Sequence, residues 1–339
     1  VGSAVAGSYG SGLQTDEDGN VKDGSGVNID EIYEQANKAV EGNKLQSEYT
    51  NNQVAADDIK SAEAGRGGAR ESIVKVTIDD ASLNAGNKVT ADATADTSVS
   101  MDAIQASGGA VASANGTVGI LNVHRNSVVK IQDAAKELAV STTQKGVSGL
   151  DIYQGMLGGG AAIGAAYGSA TSTGVNAIDI DRSAFDVDND IAINAKDQSK
   201  TEVNARGVTL SPGGAASVII AEGTNDSKTA VTVNGTTINA GGDISVNAER
   251  KADGDSLSVS AIAASGGLAF AGAGVSAIAN EMGSVTTTVG TGSTFTAGSD
   301  ILLSALNSPS VRAVTGAATG SMFASGAVTV AEANIGSAS

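Results

Sequence analysis

The strongest constraint on this chain is a segment that recurs. Residues 236–249 read TTINAGGDISVNAE and residues 293–306 read STFTAGSDILLSAL, with SAFDVDNDIAINAK at 183–196 and SLNAGNKVTADA at 82–93 in the same register. Aligned, they place Leu83, Phe185, Ile238 and Phe295 in one column and Val89, Ile191, Ile244 and Ile301 in the next. A third column holds Ala93, Ala195, Ala248 and Ala305, and a degenerate copy falls at Glu137-Leu138. Starting at Val89, the steps to Leu138, Ile191, Ile244 and Ile301 are 49, 53, 53 and 57 residues. Small-residue segments opening at Ala106-Ser107-Gly108-Gly109, Gly159-Gly160, Gly213-Gly214, Ala264-Ser265-Gly266-Gly267 and Ala318-Thr319-Gly320 drift with the same spacing. Two markers moving together define a unit of about 53 residues in about five copies.

Inside a unit the apolar period is two, as in Ile244-Ser245-Val246-Asn247-Ala248 and Leu257-Ser258-Val259-Ser260-Ala261. That is strand patterning with one buried face. Gly-Gly-Asp, Asn-Gly and Gly-Ser-Asp punctuate the strands as turns. No amphipathic crossover helix alternates with the strands, which excludes a doubly wound sheet. Among the all-β options, a propeller needs a blade signature that does not recur. A parallel β-solenoid explains the columns, because stacked coils put like side chains about 4.8 Å apart. With 45 Gly, nine aromatics and no Trp, the core is a thin one of Ala, Val and Ile. Sustained Val/Ile alternation argues against reading the Gly richness as disorder. Two coils of roughly 20–27 residues per unit are expected.

Residues 12–70 interrupt the pattern. A polar loop, LQTDEDGNVKDGSG, precedes a helical pattern in which Asn28 caps a face of Ile29, Ile32, Tyr33, Ala36 and Val40, and Gly42 ends it. A second helical pattern carries Tyr49, Val54, Ala55, Ile59 and Ala62. The organisation expected is therefore a β-helix start at 1–11, a loop with helical insertion at 12–70, and β-helix repeats over 71–339. Such excursions often carry specific binding, which makes Ile32, Tyr33 and Tyr49 partner-binding candidates. The other reading is a helical cover over one side of the stack.

Charge and composition narrow the chemistry. A net charge of −17 gives no electrostatic claim on phosphate backbones, so nucleic acid is not an expected partner. The chain has no Cys and one His, which excludes a disulfide framework, a thiolate nucleophile and a two-histidine metal site. No run of about 18 uncharged apolar residues offers a membrane-spanning helix. Asp186, Asp188 and Asp190 alternate in DVDND and are candidate calcium ligands. Ile191, however, stands where a helix–loop–helix calcium loop needs Gly, and alternate carboxylates also suit a solvated strand edge. Asp16-Glu17-Asp18-Gly19-Asn20 with Asp23 forms a second acidic loop, read as flexible. His124 has no partner motif, and GLAFAGAG and GMLGGGAAIG lack the Lys-Ser/Thr of a phosphate loop. No catalytic residue and no cofactor beyond that calcium is assigned.

SVTTTVGTGSTFTAGSDILLSA and AVTVNGTTINAGGDISVNAE resemble the repeats of filamentous-haemagglutinin-like exoproteins of Gram-negative bacteria, and SGGLAFAGAGVSAIANE resembles their leukotoxin-type and autotransporter-type adhesins. The likeness covers roughly residues 73–339. It implies a right-handed parallel β-helix, exported and displayed on the cell surface, and the chain is expected to be a fragment of a longer protein. The function expected is a non-enzymatic structural and adhesive rod whose partner is a host or neighbouring-cell receptor or glycan. A β-helical polysaccharide-active enzyme using the acids at 179–190, or a homopolymeric filament associating end to end, are the alternatives.

Overall fold

The computed structural model describes residues 2–11, 72–83, 89–132 and 138–336. The helical insertion expected within 12–70, with Ile32, Tyr33 and Tyr49, lies outside the described residues. Among the described residues all regular structure is strand. In chain order the strands are β1 (Gly2–Ser11), β2 (Ser72–Asp79), β3 (Val89–Asp96), β4 (Val99–Gly109), β5 (Ala112–Gln132), β6 (Leu138–Gly158) and β7 (Ala161–Asp181). There follow β8 (Ala184–Val187), β9 (Ile191–Ser211), β10 (Gly214–Asn234), β11 (Thr237–Ala240), β12 (Ile244–Arg250) and β13 (Leu257–Gly267). The series ends with β14 (Phe270–Glu281), β15 (Ser284–Val289), β16 (Thr294–Ala297), β17 (Ile301–Asn307), β18 (Val311–Gly320) and β19 (Ala324–Ile335).

These strands stack into a parallel β-solenoid with three sheets. A first wall orders β5-β7-β10-β14-β19, with β2 beside β5 and β15 beside β10. A narrow edge stacks β8, β11 and β16. A second wall holds β17-β12-β9-β13-β18, joined through β6 to β3 and β4. The chain runs first wall, narrow edge, second wall, then turns a tight corner into the next coil. β1 joins the first wall antiparallel to β5, Ser11 opposite Ala114.

The expectation of two short coils per unit is corrected. Ala112 lies opposite Ala161, Gly214 opposite Ala161 on its other side, and Ile244 between Ile191 and Ile301. One coil therefore takes 49 residues at its shortest here and 57 at its longest. The reason is strand length. β5, β6, β7, β9 and β10 each run 21 residues, or about 70 Å at 3.3 Å per residue. Each coil is a flattened loop with two broad walls.

The sequence columns are register columns. Val89 pairs Leu138, and Ala93, Thr142, Ala195, Ala248 and Ala305 stand in line across five strands. Inward residues of the two walls form two apolar clusters. One, beside the narrow edge, packs Val129, Ile131, Ile178, Ile180, Phe185 and Ile238 with Ile191, Ile193, Ile244 and Val246. The other packs Leu121, Ile219 and Val275 against Leu150, Ile152, Val203 and Val259. Each fully buried aliphatic side chain contributes about 1.5–3 kcal/mol. At the tight corner the backbones of successive coils close on each other. A Cβ at Gly213 would lie 1.8 Å from the Gly160 carbonyl oxygen, so only glycine fits there.

Candidate functional site

The acidic run at 179–190 is distributed rather than convergent. Asp186 sits on β8 opposite Asn239, and Asp186, Asp188 and Asp190 are exposed. Asp190 has a definite partner: its Oδ1 accepts the backbone N–H of Asp243 at 2.8 Å. Asp243 Oδ1 in turn accepts the N–H of Asp300 at 2.9 Å. These aspartates form a ladder along the turn after the narrow edge, each carboxylate tying its coil to the next. Among the described residues no three His, Cys, Asp or Glu side chains group closely enough to hold a metal ion. His124, half-buried on the first wall, places Nδ1 2.7 Å from Thr173 Oγ1.

A constellation of charge lies inside the coil, between the two apolar clusters. Arg125 of β5, Asp197 of β9, Arg250 of β12 and Glu281 of β14 are all at most 3 % exposed. Arg250 Nε is 3.4 Å from Asp197 Oδ2, and its Nη2 is 2.6 Å from Glu281 Oε1. Asp197 Oδ1 accepts the Ser199 N–H and hydroxyl at 2.9 and 2.7 Å, and Oδ2 accepts the Ser227 hydroxyl at 2.5 Å. Glu281 accepts the Gly283 N–H at 3.3 Å and the Ser256 hydroxyl at 3.2 Å. Arg125 donates to the Thr97 carbonyl and to the Ser172 and Ser148 hydroxyls at 3.0, 3.0 and 2.7 Å. Burial pushes the Arg125 guanidinium below its ordinary value, and the Asp197 carboxylate opposes the shift. Gly283 makes this packing feasible, since a Cβ there would meet Arg250 Nη1 at 2.2 Å.

This seam carries two positive and two negative groups, is neutral, and is closed from solvent. It can bind coil to coil; it cannot reach an external substrate. The sequence reading missed it, yet the signal was present. Asp197 continues the inward series Ile191, Ile193, Ala195, and Glu281 continues Val275, Ala277, Ala279. A charge that falls on the buried parity of a strand is a charge inside the fold.

The surface feature best suited to contact is a groove on the outside of the second wall. One ridge is the column Ile104, Tyr153, Arg206 and Ile262, in register across β4, β6, β9 and β13. The floor is Ala106, Gly155, Val208 and Ala264, and beyond it stand Leu157 and Leu210. Two hollows, of about 430 and 200 Å³, share Leu157 and Leu210, and the larger reaches Pro212 and Leu268. Ile104 is 76 % exposed and Leu157 62 %, although core residues back both strands. The Arg206 guanidinium lies 5.8 Å from the Tyr153 ring centroid, a cation–π contact between neighbouring coils. The arrangement offers an apolar, rigid, laterally repeated surface with one anchored cation. No protein-family model, curated protein or solved structure matches this chain.

Proposed function

We propose that this chain is a non-enzymatic, extracellular structural and adhesive β-solenoid, part of a bacterial surface exoprotein, that presents its second wall to a protein receptor on another cell. The observation that carries the reading is the outer groove, an exposed apolar patch held on a rigid stack. Tyr and Arg, paired here at Tyr153 and Arg206, are among the residues enriched in binding hot spots. The repeats resembling filamentous-haemagglutinin-like exoproteins and a chain free of cysteine support the surface location. Beads coated with the purified chain should adhere to cultured cells. Replacing Leu157 and Leu210 together by Ser should lower adhesion about tenfold or more. Equal adhesion by the double variant removes the groove from the interface. Loss after protease treatment of the cells supports a protein receptor, whereas loss only after glycosidase treatment reassigns the partner to a glycan.

One further observation favours a filament subunit as second reading. The coil that holds β17 and β19 presents inward residues to solvent, with Ile301 47 %, Leu303 50 % and Ile335 64 % exposed. Stacking of coil ends between chains would bury them. Electron microscopy at rising concentration separates the readings, since only a filament subunit forms long polymers.

A further inference from the structure

The interior seam is polar well beyond Arg125, Asp197, Arg250 and Glu281. On the first wall, Ser127, Asn176 and Thr229 stand in one inward column, and Ser172, Asn225 and Glu281 in another. Between them runs the column of Arg125, Gly174 and Ser227. The Asn176 column faces Thr142, Ala195 and Ala248 of the second wall, since the Ser127 hydroxyl donates to the carbonyl of Ala93 in that line. The Asn225 column faces Ser148 and Thr201. Arg125 spans Ser172 and Ser148, and Ser256, whose carbonyl accepts the Thr201 N–H, donates to Glu281. Asn176, Asn225, Thr142, Thr201 and Thr229 are at most 1 % exposed. Described strands enclose them: β7 lies between β5 and β10, β10 lies between β7 and β14, and both pack on β9.

These side chains find no partner in the protein. Oδ1 and Nδ2 of Asn176 and of Asn225, and the hydroxyls of Thr142, Thr201 and Thr229, make no hydrogen bond to another protein atom. A buried polar group left unpaired costs about 1–3 kcal/mol, and native interiors pair nearly all of theirs. Stacked asparagines do not meet the need, because Asn176 lies between Ser127 and Thr229, and Asn225 between Ser172 and Glu281. The orphaned atoms fall into two groups, one on each side of the Arg125 column: Asn176 with Thr229 and Thr142, and Asn225 with Thr201. Each group offers an amide donor as well as acceptor oxygens. A metal cation satisfies only the oxygens and a halide only the donors, whereas water serves both. Charge points the same way. The two cations and two anions of the seam already balance, so a further ion would be a buried charge without compensation. Residue size makes the room: the Asn176 column looks onto Ala195 and Ala248, where the adjoining apolar cluster fills the gap with Ile178, Ile180, Ile191 and Ile193.

We infer that the seam binds ordered water at two internal sites, one bridging Asn176, Thr229 and Thr142, the other bridging Asn225 and Thr201. Each site supplies the two to four polar partners that a buried water takes. The waters complete the polar layer between the two apolar clusters and are part of the fold. This inference is independent of the adhesive reading.

The test is a high-resolution crystal structure of the full chain, grown once in sodium chloride and once in rubidium bromide. The inference expects a density peak about 2.7–3.2 Å from the Asn176 amide and another at that range from the Asn225 amide, in both crystals and without anomalous signal. An anomalous peak at either site in the rubidium bromide crystal makes the ligand an ion and overturns the inference. Absence of either peak, or direct pairing of the asparagines with Thr142, Thr201 or Thr229, overturns it as well. Asn225→Val, with its fold confirmed by far-ultraviolet circular dichroism, should lose the peak at its own site and keep the one at Asn176. Persistence of both peaks in that variant would show that the Asn225 amide does not hold the water.

Discussion

Glu281 shows how a single side chain holds two coils. It meets Arg250 across the interior at 2.6 Å and caps Gly283 and Ser256 at the same time. Removing one member of such a pair strands the other charge in the dry interior. Glu281→Ala should therefore cost about 3–5 kcal/mol, while Glu281→Gln, which keeps an acceptor for the Gly283 N–H, should cost less. Urea unfolding followed by circular dichroism reads both, and midpoints left at the native value in the two variants would contradict the pairing. Tyr167 gives a pH-dependent counterpart. Burial first, and then the Glu222 carboxylate, push its hydroxyl above the ordinary range. In the unfolded chain it ionises at about pH 10. Its contribution to stability is whole below that pH and is lost as pH climbs toward the raised folded value. Tyr167→Phe should flatten the alkaline fall in stability, and an unchanged slope between pH 9 and 11 would assign the fall to other groups.

At the scale of the strand, what the sequence disclosed depended on whether a feature was local or shared between coils. The column Ile191, Ile244, Ile301 was readable because like stacks on like, and the strands that carry these residues are register partners. The parallel all-β architecture followed from that. Coil length was not readable, because period-two alternation continues through a 21-residue strand such as β9 as it would through several short ones. Nothing in the local pattern of Lys200-Thr201-Glu202 marks the absence of a corner. The groove was hidden for a related reason: Tyr153, Arg206 and Ile262 belong to three coils and become neighbours only through pairing. Asp186, Asp188 and Asp190 were visible as an alternating acidic run, but parity alone could not reveal that Asp190 is held by the next coil's backbone. The two walls look alike in sequence; only burial distinguishes Ile220 from Ile262.

The described stack of coils is broader than it is tall. Each coil adds about 4.8 Å along the axis, against a wall about 70 Å wide. The coil of β17 and β19 exposes Leu303 at 50 % and Phe323 at 84 %, and among the described residues no strand pairs the outer edge of β19; an open strand edge next to apolar side chains favours association. The isolated 339-residue chain should sediment as a concentration-dependent mixture. Leu303→Lys with Phe323→Lys should return it to monomer, and association that persists in the double variant would place the contact elsewhere. The ladder geometry has a mechanical consequence. Hydrogen bonds between coils run along the axis, and the β7–β10 pairing alone aligns 21 residues. Tension applied along the axis is shared by the whole ladder at once, whereas tension on a free chain end opens it one bond after another. Such a panel resists being pulled apart face from face and yields by peeling from its edge.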